Sequence, residues 1–305
     1  MNIVILITIE RTRLFTNEAR EEGVYTLFRA SEVNMGTYIC FNYMSYLIIL
    51  GRFVYIIIFF LGLSLGSFLN SWIWRTRENI RIVNGRSMCP HCRRQLTWYE
   101  NIPVLSYLFL LGKCRTCKKP IPKHFTFMEI GAALIFVLVA WINLNSPAVV
   151  PAHFLRDITF VALLIVIFIY DYLYQEILPE VIWVGALAGL FFNIYLGFSL
   201  VSMLVGLLIA GGFFFLQYVI SKGKWIGGGD VRMGVMMGIW LGWPGVLAAL
   251  FLAYVVGAIC GLMLLLLKKK QLTSAVPFGT YLALGTFVVM LWGNQIIGWY
   301  VGLLK

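Results

Sequence analysis

Several apolar runs in this chain of 305 residues are long enough to cross a membrane, and their length constrains the fold more than any other feature. A membrane-spanning helix needs about 20 mostly apolar residues. Charged residues make up only 12% of the chain, against roughly 25% in soluble domains. A soluble protein with a buried helical core would need a polar shell, and residues 124–305 hold too few charges to supply one. The sequence therefore predicts an all-α polytopic membrane protein.

We predict about eight transmembrane helices, separated by loops rich in glycine, proline or lysine. Asn-Ser-Pro at 145–147, Gly-Trp-Pro-Gly at 242–245 and three lysines at 268–270 are such separators. The predicted spans cover residues 53–74, 126–144, 158–172, 178–196, 199–220, 231–242, 245–267 and 277–293.

The chain divides into four segments on this pattern. Residues 1–43 form an N-terminal extension of uncertain nature, because they mix charges with short apolar runs and lack a clear signal-peptide cleavage site. Residues 44–74 form the first membrane helix, residues 75–123 a polar loop domain, and residues 124–305 the main membrane domain.

The position of the basic residues predicts how the chain is oriented. The net charge is +11, and residues 73–123 hold eleven Lys or Arg against two acids. The positive-inside rule places such a loop in the cytoplasm, where it also meets anionic lipid headgroups. Threading the spans from there puts Lys222, Lys224 and the lysines at 268–270 on the same side. The positive charge is therefore explained by the orientation of the chain in the lipid bilayer and by contact with lipid headgroups. We do not expect nucleic acid as a partner.

Four cysteines in this loop are spaced as metal ligands. Cys89 and Cys92 form one C-x-x-C pair, and Cys114 and Cys117 form a second pair after 21 intervening residues. Two such turns suit tetrahedral Zn(II) bound by four thiolates, a structural site with no open position for water. The loop is thus predicted to be a small zinc-knuckle cytoplasmic domain. A redox-active thiol pair is the alternative.

Two aspartates stand out among the few acids of residues 124–305. Asp171 ends the third predicted span, and Asp230 opens the sixth after three glycines. The threading brings both to the cytoplasmic side, and acids next to membrane spans are functional candidates. Two neighbouring carboxyl groups can share one proton, so that one activates water while the other donates to a carbonyl oxygen. The alternatives are a helix N-cap for Asp230 and an interfacial charge for Asp171.

These motifs together resemble the bacterial type IV prepilin peptidases over about residues 53–293. A lone G-x-G-D motif would be weak, but the combination is highly specific. The similar segments are 66–70 with Arg75, the cysteine-bearing stretches 87–92, 96–107 and 112–117, Asp171 with Leu178 and Pro179, the G-x-G-D stretch 227–232, and residues 277–279 and 282–285.

The chain departs from the family pattern near its first aspartate. One more residue than usual separates Asp171 from Pro179, and Glu180 stands where the family usually has Asp or Asn. Asp171 is still the acid of the third span that fits, because Asp157 lies at the opposite end of that span.

The resemblance implies a membrane aspartic endopeptidase with Asp171 and Asp230 as its catalytic pair. Its substrates would be type IV prepilins or pseudopilins, whose short basic leader stays in the cytosol and is cut after a glycine just before an apolar helix. It also implies N-methylation of the new terminus with S-adenosylmethionine as cofactor. The location would be the bacterial inner membrane, with the active site and the zinc domain on its cytoplasmic side.

The glycines before Asp230 suggest a substrate-binding role. We expect Gly227, Gly228 and Gly229 to form part of an extended cleft for the substrate backbone, since irregular backbone is tolerated at membrane depth only where protein or water covers it. Two other functions stay open. An ion-coupled transporter would place its acids near the bilayer midplane, and a non-catalytic membrane scaffold would need neither aspartate.

Overall fold

The computed structural model describes residues 29–81, 85–145, 151–267 and 277–303, with side chains from residue 53 onward. These residues form α-helices, short turns and two isolated bridges, and contain no β-strand. The helices are α1 (Arg29–Arg77), α2 (Leu105–Phe109), α3 (Lys123–Leu144), α4 (Pro151–Tyr174), α5 (Pro179–Tyr195), α6 (Leu200–Ser221), α7 (Gly228–Leu266) and α8 (Phe278–Leu303), with one 3₁₀ turn at Trp98–Asn101.

The chain separates into two compact units, Met1–Val54 and Tyr55–Lys305. In the first unit the structure describes only the helical backbone from Arg29 onward, so most of the predicted extension 1–43 lies outside the described residues. The second unit contains the loop domain and the helix bundle.

Six helices of the described chain are long and apolar enough to cross a membrane. They are the part of α1 at Phe53–Arg77 together with α3, α4, α6, α7 and α8, while α5 is apolar but shorter. The predicted polytopic all-α fold is confirmed. Helix α4 begins earlier than predicted, at Pro151, and α8 continues beyond residue 293 to Leu303.

Helix α7 is broken where the sequence predicts a turn. Gly242 has φ 61° and ψ −171°, and Trp243 has φ −89° and ψ 137°, so neither residue is helical. Pro244 follows and lacks the backbone N–H that a continuous helix would use. Counting the two parts of α7 and the short α5 separately gives eight apolar helical segments from Phe53 onward in the described chain, as predicted.

Small residues let α7 approach its neighbours closely. A Cβ added at Gly238 would lie 2.4 Å from the carbonyl carbon of Gly206 on α6, so the two backbones touch there. The indole of Trp240 stacks on Phe160 of α4 at 3.9 Å between ring centroids. Its Nε1 donates to the carbonyl oxygen of Gly185 on α5 at 2.8 Å. Close backbone approach of this kind is typical of membrane helix packing, and it places α7 at the centre of the bundle.

The loop domain is held on the bundle by α1 and α3. Gly62 and Gly66 let α1 approach the backbone of α3, with an added Cβ at Gly62 only 2.6 Å from the Cα of Ala133. The Asn70 side chain donates to the carbonyl oxygen of Phe125 at 2.8 Å. We call the end of the bundle where α1 ends and α3 begins the loop end.

Candidate active site and metal centre

Asp171 lies in the last turn of α4, where the chain reverses direction. Gln175 has a positive φ of 55°, and its backbone N–H donates to the carbonyl oxygen of Asp171 at 2.8 Å. This left-handed residue ends the helix, and Pro179 opens α5 with a φ that suits a first helical turn. The Asp171 side chain turns inward and is only 4% exposed.

The Asp171 carboxylate is held by the first turn of α8. Its Oδ2 accepts hydrogen bonds from the backbone N–H of Thr280 at 2.6 Å and from the Thr280 hydroxyl at 3.0 Å. Gly279 lies against the same carboxylate, since a Cβ added at Gly279 would lie 3.0 Å from Cγ of Asp171. The same Cβ would lie 2.7 Å from Cδ1 of Ile177. Sequence reasoning missed Thr280, although the Pro-Phe-Gly motif directly before it was the available signal.

Asp230 lies in the first turn of α7. Its Oδ2 accepts a hydrogen bond from the backbone N–H of Gly227 at 3.2 Å, so the side chain caps the helix from its third position. Of the three glycines, only Gly227 has extended backbone, with φ −76° and ψ 155°. Gly228 and Gly229 already belong to the helix, because this cap starts it at Gly228. Non-helical backbone in this run is therefore confined to Gly227.

Asp171 and Asp230 line the same open cavity of about 470 Å³. Gly227 and Gly229 line it as well, whereas Gly228 is not among its lining residues. Other lining side chains are Glu176, Arg232, Trp225 and Phe278. The cavity thus brings two carboxyl groups together with further polar and aromatic groups, and it is open to water. Such an arrangement can activate a water molecule against a bound carbonyl group.

The cavity lies at the loop end of the bundle. Arg77, at the end of α1, forms an ion pair with Glu176 at 3.4 Å and its guanidinium lies 4.8 Å from the ring centroid of Tyr174. Asp157, at the start of α4, is paired instead with Arg156 at 2.8 Å and with the Asn143 amide at 3.0 Å. Its carboxylate therefore has a structural role away from the cavity.

The four loop cysteines converge on one point. The Sγ atoms of Cys89, Cys92, Cys114 and Cys117 all lie within 4.8 Å of one another. Tetrahedral zinc with bonds of about 2.3 Å separates its sulfur ligands by roughly 3.8 Å, and Cys89 and Cys117 are 4.0 Å apart. The residues present therefore fit a four-thiolate metal ion.

The two cysteine turns have the same backbone structure. In the first, the N–H of Cys89 donates to Arg94 O at 2.9 Å, and the N–H of Arg93 donates to Cys89 O at 3.0 Å. In the second, the N–H of Cys114 donates to Lys119 O at 2.9 Å, and the N–H of Lys118 donates to Cys114 O at 3.0 Å. Arg93 and Lys118, one residue after the second cysteine of each pair, both have positive φ. Two matched turns that point their thiols at one site are typical of a zinc knuckle.

One thiol of the cluster is biased toward the thiolate form that binds metals. Burial acts to raise the pKa of Cys114, but hydrogen bonds from the backbone N–H groups of Cys117 and Thr116 and from the Cys89 thiol lower it to about 6.

A buried ion pair that sequence reasoning missed supports the first cysteine turn. Arg94 donates to Oε1 of Glu100 at 2.6 Å, and the side chain of Glu100 is only 2% exposed. Its Oε2 accepts from the backbone N–H and the hydroxyl of Thr97 at 2.9 and 2.8 Å. Burial alone would raise the pKa of Glu100, but these partners lower it to about 2. The two residues are six apart in a basic loop, and nothing in the sequence marks them as a pair.

Two family models match the chain. The Bacterial Peptidase A24 N-terminal domain matches residues 60–143, which contain the four cysteines, and the Type IV leader peptidase family matches residues 158–262, which contain both aspartates. No solved structure is significantly similar to the chain.

Curated relatives extend the similarity over most of the sequence. The Prepilin leader peptidase/N-methyltransferase of Aeromonas hydrophila is 32% identical over 71% of this chain and 74% of its own length. That of Bacillus subtilis (strain 168) is 32% identical over 80% of this chain and 97% of its own length. That of Pseudomonas aeruginosa is 30% identical over 79% of this chain and 91% of its own length. The predicted resemblance is thereby confirmed: the chain is a multi-pass membrane protein that belongs to the type IV leader peptidase family.

Proposed function

We propose that this protein is a membrane aspartic endopeptidase that removes the short basic leader from type IV prepilins or pseudopilins. The observation that carries the proposal is that Asp171 and Asp230, from two different helices, line one water-accessible cavity. The names of the relatives, Prepilin leader peptidase/N-methyltransferase, support the choice of substrate.

The reaction follows from the pair of carboxyl groups. One ionised carboxylate takes a proton from a water molecule in the cavity, and the water oxygen forms a bond to the carbonyl carbon of the scissile peptide. The other, protonated carboxyl group donates to the carbonyl oxygen. The C–N bond then breaks as the first carboxyl group passes the proton it took from water to the nitrogen, which leaves as the new amino terminus, and the former carbonyl oxygen returns its proton to the second carboxylate. We assign the two roles to the pair as a unit, since strongly interacting acids titrate together.

We place the cavity and the loop domain on the cytoplasmic side of the bacterial inner membrane. The eleven basic residues of 73–123 support this orientation through the positive-inside rule. A leader that stays in the cytosol would then reach the loop end, where the cavity lies. The lipid bilayer is the other partner, and no partner nucleic acid is proposed.

We propose that the four-cysteine cluster holds structural zinc. The metal would join the two cysteine turns and so order a loop domain too small to form a large core of its own. S-adenosylmethionine would supply the methyl group for N-methylation of the new terminus. No residue is assigned to it, because the cavity between the loop domain and the helices has only about 150 Å³, below the roughly 300–1,000 Å³ of typical small-molecule sites.

We also propose that the glycines at 227–229 let the substrate backbone approach Asp230. A Cβ added at Gly229 would lie 3.1 Å from Cβ of Ile177 at the cavity wall. Gly229→Val should therefore narrow the cavity and slow cleavage. Gly212→Val in α6 is the control, since no atom lies within 4 Å of a Cβ there. Unchanged cleavage by Gly229→Val would contradict a role for these glycines.

A cleavage assay in liposomes tests the proposed function. Wild type, Asp171→Asn and Asp230→Asn are incubated with a prepilin from the same source, and Glu180→Gln serves as an exposed acid outside the cavity. We expect wild type and the control to remove the leader, and each aspartate variant to lose at least about 1,000-fold in rate while it keeps its fold and metal. Cleavage by either aspartate variant at the wild-type rate would remove that residue from the mechanism.

The same assay separates the rival functions. A non-catalytic scaffold predicts no leader removal by wild type on its own prepilin. An ion-coupled transporter predicts the same, together with ion flux into the liposomes that depends on Asp171 and Asp230.

A further inference from the structure

A second, larger cavity lies on the side of the bundle, apart from the two aspartates. It has a volume of about 520 Å³ and is lined almost entirely by apolar side chains of α3, α4 and α8. It shares no lining residue with the cavity of Asp171 and Asp230. We call it the lateral groove.

The floor of the lateral groove is one face of α4. Val161, Leu164, Phe168 and Tyr172 follow one another at spacings of three and four residues and all line it, as expected for a single helical stripe. Helices α3 and α8 both pack on α4 but make almost no contact with each other in the described chain. An open face of α4 therefore lies between them.

Small residues stand in both walls. Gly131 and Ala132 of α3 and Ala283 of α8 line the groove. No atom lies within 4 Å of a Cβ added at Gly131, so the space beside it is open. Small residues let the backbone of an incoming helix approach closely. A disordered lipid chain gains little from such backbone access, so this feature favours a helix as the occupant.

One end of the lateral groove lies beside the turn of α4 that carries Asp171. Its floor runs from Val161 to Leu173, about 18 Å at 1.5 Å per residue, and its last turn includes Tyr172, the neighbour of Asp171. In its α8 wall, Leu284 lies one helical turn after Thr280, which binds the Asp171 carboxylate. A helix in the groove would thus deliver the residues at its loop end to the Asp171 side of the bundle.

We propose that the lateral groove binds the single apolar membrane helix of the uncleaved substrate and so positions the peptide bond that precedes it. This inference rests on the proposed function, because only a membrane-anchored substrate brings such a helix. Apolar contact along about three turns holds the substrate, while the aspartates act on the unwound residues at its end. Binding energy remote from the reacting bond is then used to orient it.

Filling the groove tests the proposal. Gly131→Trp should place an indole where the helix would lie, and Gly212→Trp in α6 carries the same change at a site that is equally open but lines no groove. With a full-length prepilin, Gly131→Trp should raise KM about tenfold or more, and Gly212→Trp should not. With a soluble peptide that carries the leader, the cut site and only the first few residues after it, all three proteins should cleave at similar, low efficiency.

The outcomes separate the groove from the proposed function. No cleavage of prepilin by wild type would contradict the proposed function itself. Normal cleavage by wild type with an unchanged KM in Gly131→Trp would overturn only the groove. An equal loss on the short peptide would also overturn it, since the substitution would then have damaged the active site.

A crosslinking experiment keeps the proposal testable if Gly131→Trp does not fold. The photoreactive residue p-benzoylphenylalanine replaces Phe168 in the groove or, as control, the exposed Phe191 on α5, in an Asp230→Asn background that retains substrate. We expect a crosslink to the apolar helix of prepilin from position 168 and none from position 191. Crosslinks to lipid only would overturn the proposal and show that the groove is a lipid site. Equal crosslinks to prepilin from both positions would overturn it as well, since the contact would then not be specific to the groove.

Discussion

Oδ2 of Asp171 accepts two hydrogen bonds from one residue, Thr280, through its backbone N–H at 2.6 Å and its hydroxyl at 3.0 Å. Both donors belong to the first turn of α8, so the position of this carboxylate depends on how α8 packs against α4. A substitution at position 280 can remove the hydroxyl donor but leaves the backbone N–H in place. The contribution of the hydroxyl hydrogen bond to catalysis can therefore be measured by itself.

Removing the Thr280 hydroxyl should weaken cleavage. A hydrogen bond to a charged group contributes about 1.5–3 kcal/mol, so Thr280→Val should lower kcat by roughly 10–100-fold, since about 1.4 kcal/mol corresponds to tenfold. Thr280→Ser should restore most of the rate, because it keeps the hydroxyl. Steady-state cleavage of prepilin measures both variants.

Thr286→Val is the matched control for that measurement. Thr286 is also buried on the same helix, but its hydroxyl donates to the carbonyl oxygen of Leu282 at 2.7 Å and not to a carboxylate. Equal losses in the two valine variants would mean that the effect is structural and not specific to Asp171.

A methyl group at Gly279 should displace the Asp171 carboxylate. The added Cβ would lie 3.0 Å from its Cγ and Oδ2, closer than ordinary van der Waals contact. We expect Gly279→Ala to lower kcat at least about tenfold while the protein still folds. Gly298→Ala, on the same helix with no atom within 4 Å of the new methyl group, should cleave normally. Full activity in Gly279→Ala would show that the carboxylate moves freely.

Metal content should depend on the four loop cysteines alone. Cys89→Ser or Cys114→Ser should abolish bound zinc and make the loop domain sensitive to protease, since each removes one of four thiolates. Cys260→Ser should bind zinc as wild type does, because Cys260 lies in α7 outside the cluster. Elemental analysis of the purified proteins gives the ratio of zinc to chain, and a ratio near one in Cys114→Ser would refute the four-thiolate site.

The Arg94–Glu100 pair should stabilise the loop domain in a pH-dependent way. The pKa of Glu100 is lowered from its ordinary value of 4.5 to about 2. A lowered folded-state pKa contributes stability that is complete above pH 4.5 and is lost as the pH falls toward 2. Glu100→Gln should therefore reduce amide protection of the loop domain at pH 5 and above.

Hydrogen exchange between pH 2 and 7 checks that expectation. The difference between wild type and Glu100→Gln should shrink as the pH falls below 4.5, because wild-type Glu100 then becomes protonated. Glu78→Gln is the control, since Glu78 forms its ion pair with Arg93 at 2.7 Å in a more exposed position. A difference that stays constant down to pH 2 would mean that the charge of Glu100 does not contribute.

The sequence predicted the elements that local pattern encodes. The break of α7 follows from Gly242 and Pro244, because glycine readily adopts a positive φ and a proline inside a helix removes a backbone N–H that the helix would use. The metal cluster follows from the C-x-x-C spacing, since each turn already orients its two thiols. The extent of the glycine stretch was harder to predict, because the cap of Asp230 on Gly227 decides where the helix starts.

Two features of the active site depend on contacts between distant parts of the chain. Thr280 reaches Asp171 across 109 positions, and Gly279 matters only because that carboxylate lies beside it. No local pattern specifies these partners.

The sequence by itself determined the membrane class, the orientation expected from its charges, the four candidate metal ligands and the two candidate acids. These properties depend on composition, run length and short spacings, which the chain carries before it folds. Only the tertiary structure decided that Asp171 and Asp230 share one cavity, which residue holds Asp171, and that α3, α4 and α8 leave an apolar groove between them. The physical reason is that cavities and hydrogen-bond partners arise from helix packing, which joins residues far apart in the chain.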